Sequence, residues 1–311
     1  MGRDPDYLDF LRRRLAAEPP AGDAPRSIAD ARRDHADDLA RSPRVPVGHV
    51  TDLTVDGPAG PLPARLYLPA GAAPPVPALV YLHGGGWILG DVDSYDPVVR
   101  ALTTAAGDVA WLSLGYRRPP EDPYPAAVDD AVAAVHWTLR HAARLGLDPT
   151  RIGIAGDSAG GQIAASAAGR LRDAGPARPA LQVLLYPAVD LRAVPPDPPD
   201  PDGLTLPRPG VEAAVRAYLR GADPADPGVS PVLDPDPSRL PPAIIATAEH
   251  DRLRPQAEHH AARLTAAGVP VTLLHGTGLD HGYLGWGSFA RRPAAAIAEI
   301  GAAVRAALTP R

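Results

Sequence analysis

From residue 78 onward the apolar positions fall in short, nearly unbroken runs: "ALVYLH" (78–83), "VAWLSLGY" (109–116), "RIGIAG" (151–156), "LQVLLYP" (181–187), "AIIATAE" (243–249) and "VTLLHG" (271–276). Runs of this length without polar alternation predict strands buried on both faces, as in a parallel sheet. Between them the apolar positions recur at helical spacing, with helices expected to begin near Tyr95, Pro125, Ser158, Pro255 and Ser288. Upstream, "HVTDLTVDG" and "GPLPARLYLP" alternate apolar and polar around a Gly-Pro-Ala-Gly turn, which predicts an antiparallel hairpin at a sheet edge. Two helical patterns, at residues 7–17 and 28–39, precede every strand and are separated by the breaker "EPPAGDAP".

Strands alternating with helices make a doubly wound α/β sheet, mostly parallel, with helices on both faces and ligand sites at the carboxyl ends of its strands. A chain of 311 residues without an internal repeat suits one such domain plus an appendage. We read residues 46–311 as the catalytic domain. Residues 1–45 and an insertion at about 190–230 are expected to form a helical cap. The run "VPPDPPDPDGLTLPRPG" (194–210) is too rich in proline for a central strand or a regular helix, and is expected to be an exposed excursion.

Composition narrows the function classes. A net charge of −5, with Lys and Arg scattered rather than clustered, argues against a nucleic acid or an anionic membrane as partner. The absence of cysteine removes disulfides, thiolate metal sites and cysteine nucleophiles. No stretch resembles a signal peptide or reaches the roughly 18–20 apolar residues of a membrane span, so a cytoplasmic location is expected.

The chemistry sits just after the strands. "RIGIAG" runs into Asp157-Ser158-Ala159-Gly160-Gly161, so Gly156 and Gly160 flank Ser158 in a G-x-S-x-G arrangement between a strand and a helix. A sharp strand-to-helix bend would lift the serine to the top of the sheet, at the positive end of a helix dipole. A P-loop needs Lys-Ser or Lys-Thr after its last glycine, and Gln162 stands there instead. A purely structural glycine-serine turn is the bland alternative.

"HGGGW" (83–87) follows the strand "ALVYLH"; three successive glycines leave backbone N–H groups accessible to a developing oxyanion. A serine nucleophile also needs a histidine base oriented by a carboxylate. The chain order Ser, acid, His is met by Ser158, by Asp251 at the end of "AIIATAEHD", and by His281 in "VTLLHGTGLDHGY". Glu249 is a weaker acid candidate because it should still lie in the strand or face away. His275 is expected to be packed or capping, Asp280 a loop charge, and the adjacent His259 and His260 a poor metal pair.

These residues resemble the hormone-sensitive lipase family of α/β-hydrolases, in the bacterial esterase branch with "GDSAGG". The resemblance runs from about Val47 onward and includes "HGGGW", "YRRPPE" (116–121), "YPAAVDDA" (124–131), "GDSAGGQIAA" (156–165), "LLYPAVD" (184–190), "VSPVL" (229–233), "AEHDRLRP" (248–255) and "HGY" (281–283). It implies the α/β-hydrolase fold, with Ser158 as nucleophile, Asp251 as orienting acid and His281 as base. The backbone N–H groups of Gly84, Gly85 and Ala159 would then form the oxyanion hole, His83 would brace the glycine loop, and Glu121 would be a buried structural partner. Arg118-Pro119, Pro255 and Tyr283 depart from the usual pattern without touching the triad. Trp87, Asp157, Tyr186 and Trp286 are candidates to line the substrate pocket.

The implied activity is that of a serine carboxylesterase acting on a small-molecule ester, with no metal or cofactor. With two phenylalanines and one methionine the chain does not build a long aromatic tunnel, and short or medium acyl groups are expected. Pairing of two copies through the last strand, as a homodimer, would suit the resemblance, although the residues leave it open. A non-hydrolytic elimination or cyclisation on the same fold, and a ligand-binding receptor on a dead hydrolase scaffold, are the rival readings at this point.

Overall fold

The computed structural model describes residues 2–17, 27–196, 198, 200 and 202–309. The alternating stretch forms β1 (His49–Gly57) and β2 (Gly60–Leu68), an antiparallel hairpin. The apolar runs become β3 (Val76–Leu82), β4 (Ala110–Leu114), β5 (Leu147–Asp157), β6 (Gln182–Leu185), β7 (Ala243–Ala248) and β8 (Val271–Gly276). Together they make one eight-stranded sheet of order β1-β2-β4-β3-β5-β6-β7-β8. Its strands are parallel from β4 to β8, and β2 joins β4 antiparallel. Every residue of β3, β4, β6 and β7 is buried, which is why those stretches carry no alternation. β8 differs from expectation: as an edge strand it has exposed and half-buried positions rather than two buried faces.

The helices are α1 (Pro5–Ala17), α2 (Ile28–Ala40), α3 (Asp96–Ala106), α4 (Ala126–Leu145), α5 (Ala159–Leu171), α6 (Arg208–Leu219), α7 (Arg254–Ala266) and α8 (Arg291–Leu308). Apolar residues of α4, α5 and α7 pack on one face of the sheet, and those of α1, α3 and α8 on the other. This is the two-sided covering that a parallel sheet requires. Among the described residues no helix is long and apolar enough to cross a membrane.

The two early helices form, but the breaker "EPPAGDAP" between them lies outside the described residues. α2 opens with a capping box: Ser27 Oγ accepts the Asp30 N–H, and the Asp30 carboxylate accepts the Ser27 N–H. Arg32 anchors α2 beyond the ends of the strands by donating to the carbonyls of Ile88 and Pro119. The proline-rich run also differs from expectation. Its last three residues, Arg208-Pro209-Gly210, are the first turn of α6, where proline is tolerated because its missing N–H would have no helical partner. Upstream, most of its described residues are half-buried rather than exposed, and residues 197, 199 and 201 lie outside the described set.

Candidate active site

β5 ends at Asp157 and α5 begins at Ala159, so Ser158 alone makes the bend, with φ 54° and ψ −117°. Such a backbone costs a residue with a side chain about 1–3 kcal/mol and persists only when its surroundings enforce it. They do here: the Ser158 N–H donates to the Leu185 carbonyl (2.8 Å), and the Ser158 carbonyl accepts the Ala188 N–H (3.2 Å). The flanking glycines are required by close approach. A Cβ on Gly156 would lie 2.2 Å from the Gly160 carbonyl oxygen, and one on Gly160 would lie 2.0 Å from that of Leu82.

Two loops carry the partners of Ser158. Asp251 follows β7, is buried, and accepts the Leu253 N–H on Oδ1 (2.9 Å) while Oδ2 receives His281 Nδ1–H (2.7 Å). His281 follows β8, and its Nε2 stands 2.8 Å from Ser158 Oγ. With the proton held on Nδ1 by Asp251, Nε2 is left to accept from the serine hydroxyl. Burial alone would lower the His281 pKa, but the Asp251 charge and hydrogen bond, helped by the charges of Asp157 and Asp280, raise it above the ordinary 6.5. A base with a raised pKa is lost to protonation early as pH falls. The acid limb of kcat/KM should therefore have an apparent pKa above 6.5; a pH–rate profile with its acid limb at or below that value would contradict the pairing.

The glycine loop corrects one expectation. The Gly84 N–H donates to Asp157 Oδ1 (2.8 Å) and is not available to an oxyanion. The same carboxylate accepts the Tyr81 hydroxyl (2.6 Å), and burial pushes its pKa up to about 6 despite these donors. Gly85 and Gly86 follow with φ of +99° and +58°, and no hydrogen bond engages their N–H groups among the described residues. Ala159, as the first residue of α5, has an N–H with no helical acceptor. The backbone donors left unengaged here are thus those of Gly85, Gly86 and Ala159. The sequence does not separate Gly86 from Gly84, because three identical residues in a row look alike until Asp157 engages the first. His83, fully buried and stacked on Tyr116 at 4.3 Å, lies beneath this loop with Nδ1 2.9 Å from the Gly84 oxygen, and burial lowers its pKa to about 3.

Three of the four pocket candidates, Asp157, Tyr186 and Trp286, line a cavity of about 210 Å³ that reaches His281. Part of its lining comes from α2, through His35, Asp38 and Leu39, which the sequence did not single out because nothing local ties residues 35–39 to the site. Trp87 is not in this wall. Its backbone has φ 63°, its ring stacks on Tyr218 of α6 at 4.7 Å and 10°, and its Nε1–H donates to Gln162 (2.9 Å). Gln162 in turn donates to Ser166 and to the Val229 carbonyl, tying the glycine loop to α5 and to the chain beyond α6.

Other expectations change. Glu249 lies just past β7, where its carboxylate accepts the Gly278 N–H (2.7 Å), away from His281. Glu121 is exposed rather than buried and pairs with Arg32 of α2 at 2.8 Å. His275 is exposed, 3.6 Å from Glu258, because β8 is an edge. Asp280 is no loose loop charge: it is buried against Arg3. Among the described residues no group of His, Asp or Glu is arranged to hold a metal ion.

A family model described as the alpha/beta hydrolase fold matches residues 79–285. The chain is 41% identical over 268 residues to the carboxylic ester hydrolase LipN of Mycobacterium tuberculosis, a match covering 84% of this chain and 71% of that one. It is 42% identical over 229 residues to carboxylesterase NlhH of the same organism, covering 72% and 71%. Among solved structures, a hyperthermophilic esterase from the archaeon Pyrobaculum calidifontis superposes with a TM-score of 0.87 at 33% identity, covering 98% of this chain and 99% of that one.

Proposed function

Because the chain belongs to the alpha/beta hydrolase fold family, we propose that it is a serine carboxylesterase that cleaves small-molecule esters of short to medium acyl chain through an acyl-enzyme on Ser158. The observation that carries the reading is the continuous relay from Ser158 Oγ through His281 to Asp251, at 2.8 and 2.7 Å, beside unengaged backbone donors. Ser158 Oγ attacks the ester carbonyl as His281 Nε2 takes its proton. The N–H groups of Gly85, Gly86 and Ala159 receive the oxyanion, and the imidazolium returns the proton to the departing alcohol. Water, deprotonated by the same imidazole, then releases the acid. The finer assignment, to the hormone-sensitive lipase family and its "GDSAGG" branch, is supported by that motif standing on the bend and "HGGGW" on the facing loop. We further infer that α1, α2 and α6 serve as the cap over the substrate. A second copy pairing along the open edge of β8 would satisfy the backbone groups left unpaired there.

Exposure of the protein to an organophosphonate or to p-nitrophenyl butyrate, followed by intact mass measurement, should give one adduct on the wild type and none on Ser158→Ala. An unmodified, folded wild type would refute the reading. We take the cavity of about 210 Å³ beside His281 to receive the acyl group and so to bound its length. Along a series of p-nitrophenyl esters kcat/KM should therefore fall at least about tenfold between octanoate and palmitate, and Trp286→Ala should shift the optimum to longer chains. Equal rates on butyrate and palmitate would show that this cavity does not receive the acyl chain.

A further inference from the structure

Residue 2 is glycine and residue 3 is a buried arginine. Arg3 Nε donates to both carboxylate oxygens of Asp280 (3.0 and 2.9 Å), and Nη2 donates to Asp280 Oδ1 (2.8 Å). Its other contacts reach the segment between β6 and α6: Nη1 donates to Asp202 Oδ2 (2.9 Å), and Nη2 stands 2.8 Å from Asp200 Oδ1. Arg12 holds Asp202 from α1 at 2.8 Å. Asp280 immediately precedes His281, so one side chain from the start of the fold grips the loop that carries the base.

The backbone makes the same connection. The Asp4 N–H donates to the Gly278 carbonyl (3.1 Å), and Gly278, at φ +73°, lies so close that a Cβ there would be 2.8 Å from the Asp4 nitrogen. The Gly278 N–H donates to Glu249, and the His250 N–H to the Leu279 carbonyl, which join this loop to the one bearing Asp251. Tyr7, fully buried, packs in the same apolar cluster as Leu279, Tyr283 and Leu284. Residues 3, 4 and 7 thus clasp residues 278–280 from outside, although some 270 positions separate them in sequence.

We propose that residues 3–7 are a strap that holds the His281 loop in register with Ser158, and that Arg3 is its positioning residue. This role rests on the esterase reading above. A guanidinium bridges three carboxylates in a fixed fork that an ammonium cannot reproduce. Without it, a buried Asp280 carboxylate stands unpaired beside the base, and the loop must shift to hydrate it. An ångström of misplacement at a reacting pair is enough for a loss of about 100-fold.

The test compares the wild type, Arg3→Met, Arg3→Lys and the double variant Arg3→Met/Asp280→Asn on p-nitrophenyl butyrate, with sites counted by organophosphonate titration and folding followed by thermal melts. Per titrated site, Arg3→Met should lose about 10- to 100-fold in kcat with KM little changed, Arg3→Lys should lose less, and the double variant should recover most of the loss. The pH profile is a second readout. His281 faces Asp251, Asp157 and Asp280, while Asp280 faces Arg3, His250 and Asp200. Removing the Arg3 charge should move the acid limb of Arg3→Met to higher pH, and the double variant should move it back. An Arg3→Met protein with unchanged kcat per titrated site and an unmoved limb overturns the strap, whatever its melting temperature. A folded wild type that neither turns over nor labels overturns the esterase reading and this role with it.

Discussion

Replacing Ser158 by alanine should lower turnover about 10⁶-fold, and replacing it by glycine should be equally damaging to turnover yet leave a more stable protein. Both variants remove the nucleophile and the hydrogen bond to His281 Nε2. They differ in the backbone. Alanine keeps a Cβ at φ 54°, whereas glycine occupies that region without a steric penalty. Allowing for the larger entropy of an unfolded glycine, Ser158→Gly should exceed Ser158→Ala by about 1 kcal/mol, a rise in melting temperature of roughly 2 °C. Steady-state rates and parallel melts check the pair. Residual activity of Ser158→Ala within 100-fold of the wild type would remove Ser158 from the chemistry, and equal melts would mean that the bend holds no strain.

The next largest effect is expected from Asp251→Asn, about 10⁴-fold in kcat. The direction follows from two hydrogen bonds. Asp251 Oδ1 accepts the Leu253 N–H and Oδ2 meets His281 Nδ1. In the variant the amide oxygen stays with Leu253, so the amide NH₂ is turned toward His281. The imidazole must then accept at Nδ1 and carry its proton on Nε2, where it blocks transfer from Ser158. Glu249→Gln is the control: its carbonyl oxygen still accepts from Gly278, and turnover should change no more than a few-fold. Comparable losses in the two variants would point to general loop damage rather than tautomer control.

The strand pattern and the three residues of the relay were legible for the same reason. A parallel sheet writes its strands as unbroken apolar runs, and its functional side chains stand directly after them, where Ser158, Asp251 and His281 are found. What was not legible depends on partners distant in sequence. Nothing around Asp280 reveals Arg3, 277 positions away, and nothing around residues 35–39 reveals the cavity they close. Gly84 and Gly86 have the same local signature; the difference arises when a strand bearing Asp157 is laid beside the loop. Trp87 looked like a pocket residue because it adjoins the glycines, but its positive φ turns the ring toward Tyr218 instead. β8 read as buried because its composition resembles that of the central strands; only the sheet order makes it an edge.

The stack of Trp87 on Tyr218 joins the glycine loop, which we propose receives the oxyanion, to α6. The consequence concerns how such an enzyme diversifies. On that reading, drift in the α2 wall of the cavity should change which molecules enter while leaving the glycine loop at rest. Drift at Tyr218 should be felt at the reacting carbonyl itself. Tyr218 therefore couples recognition to rate, and new specificities should accumulate around that ring rather than through it.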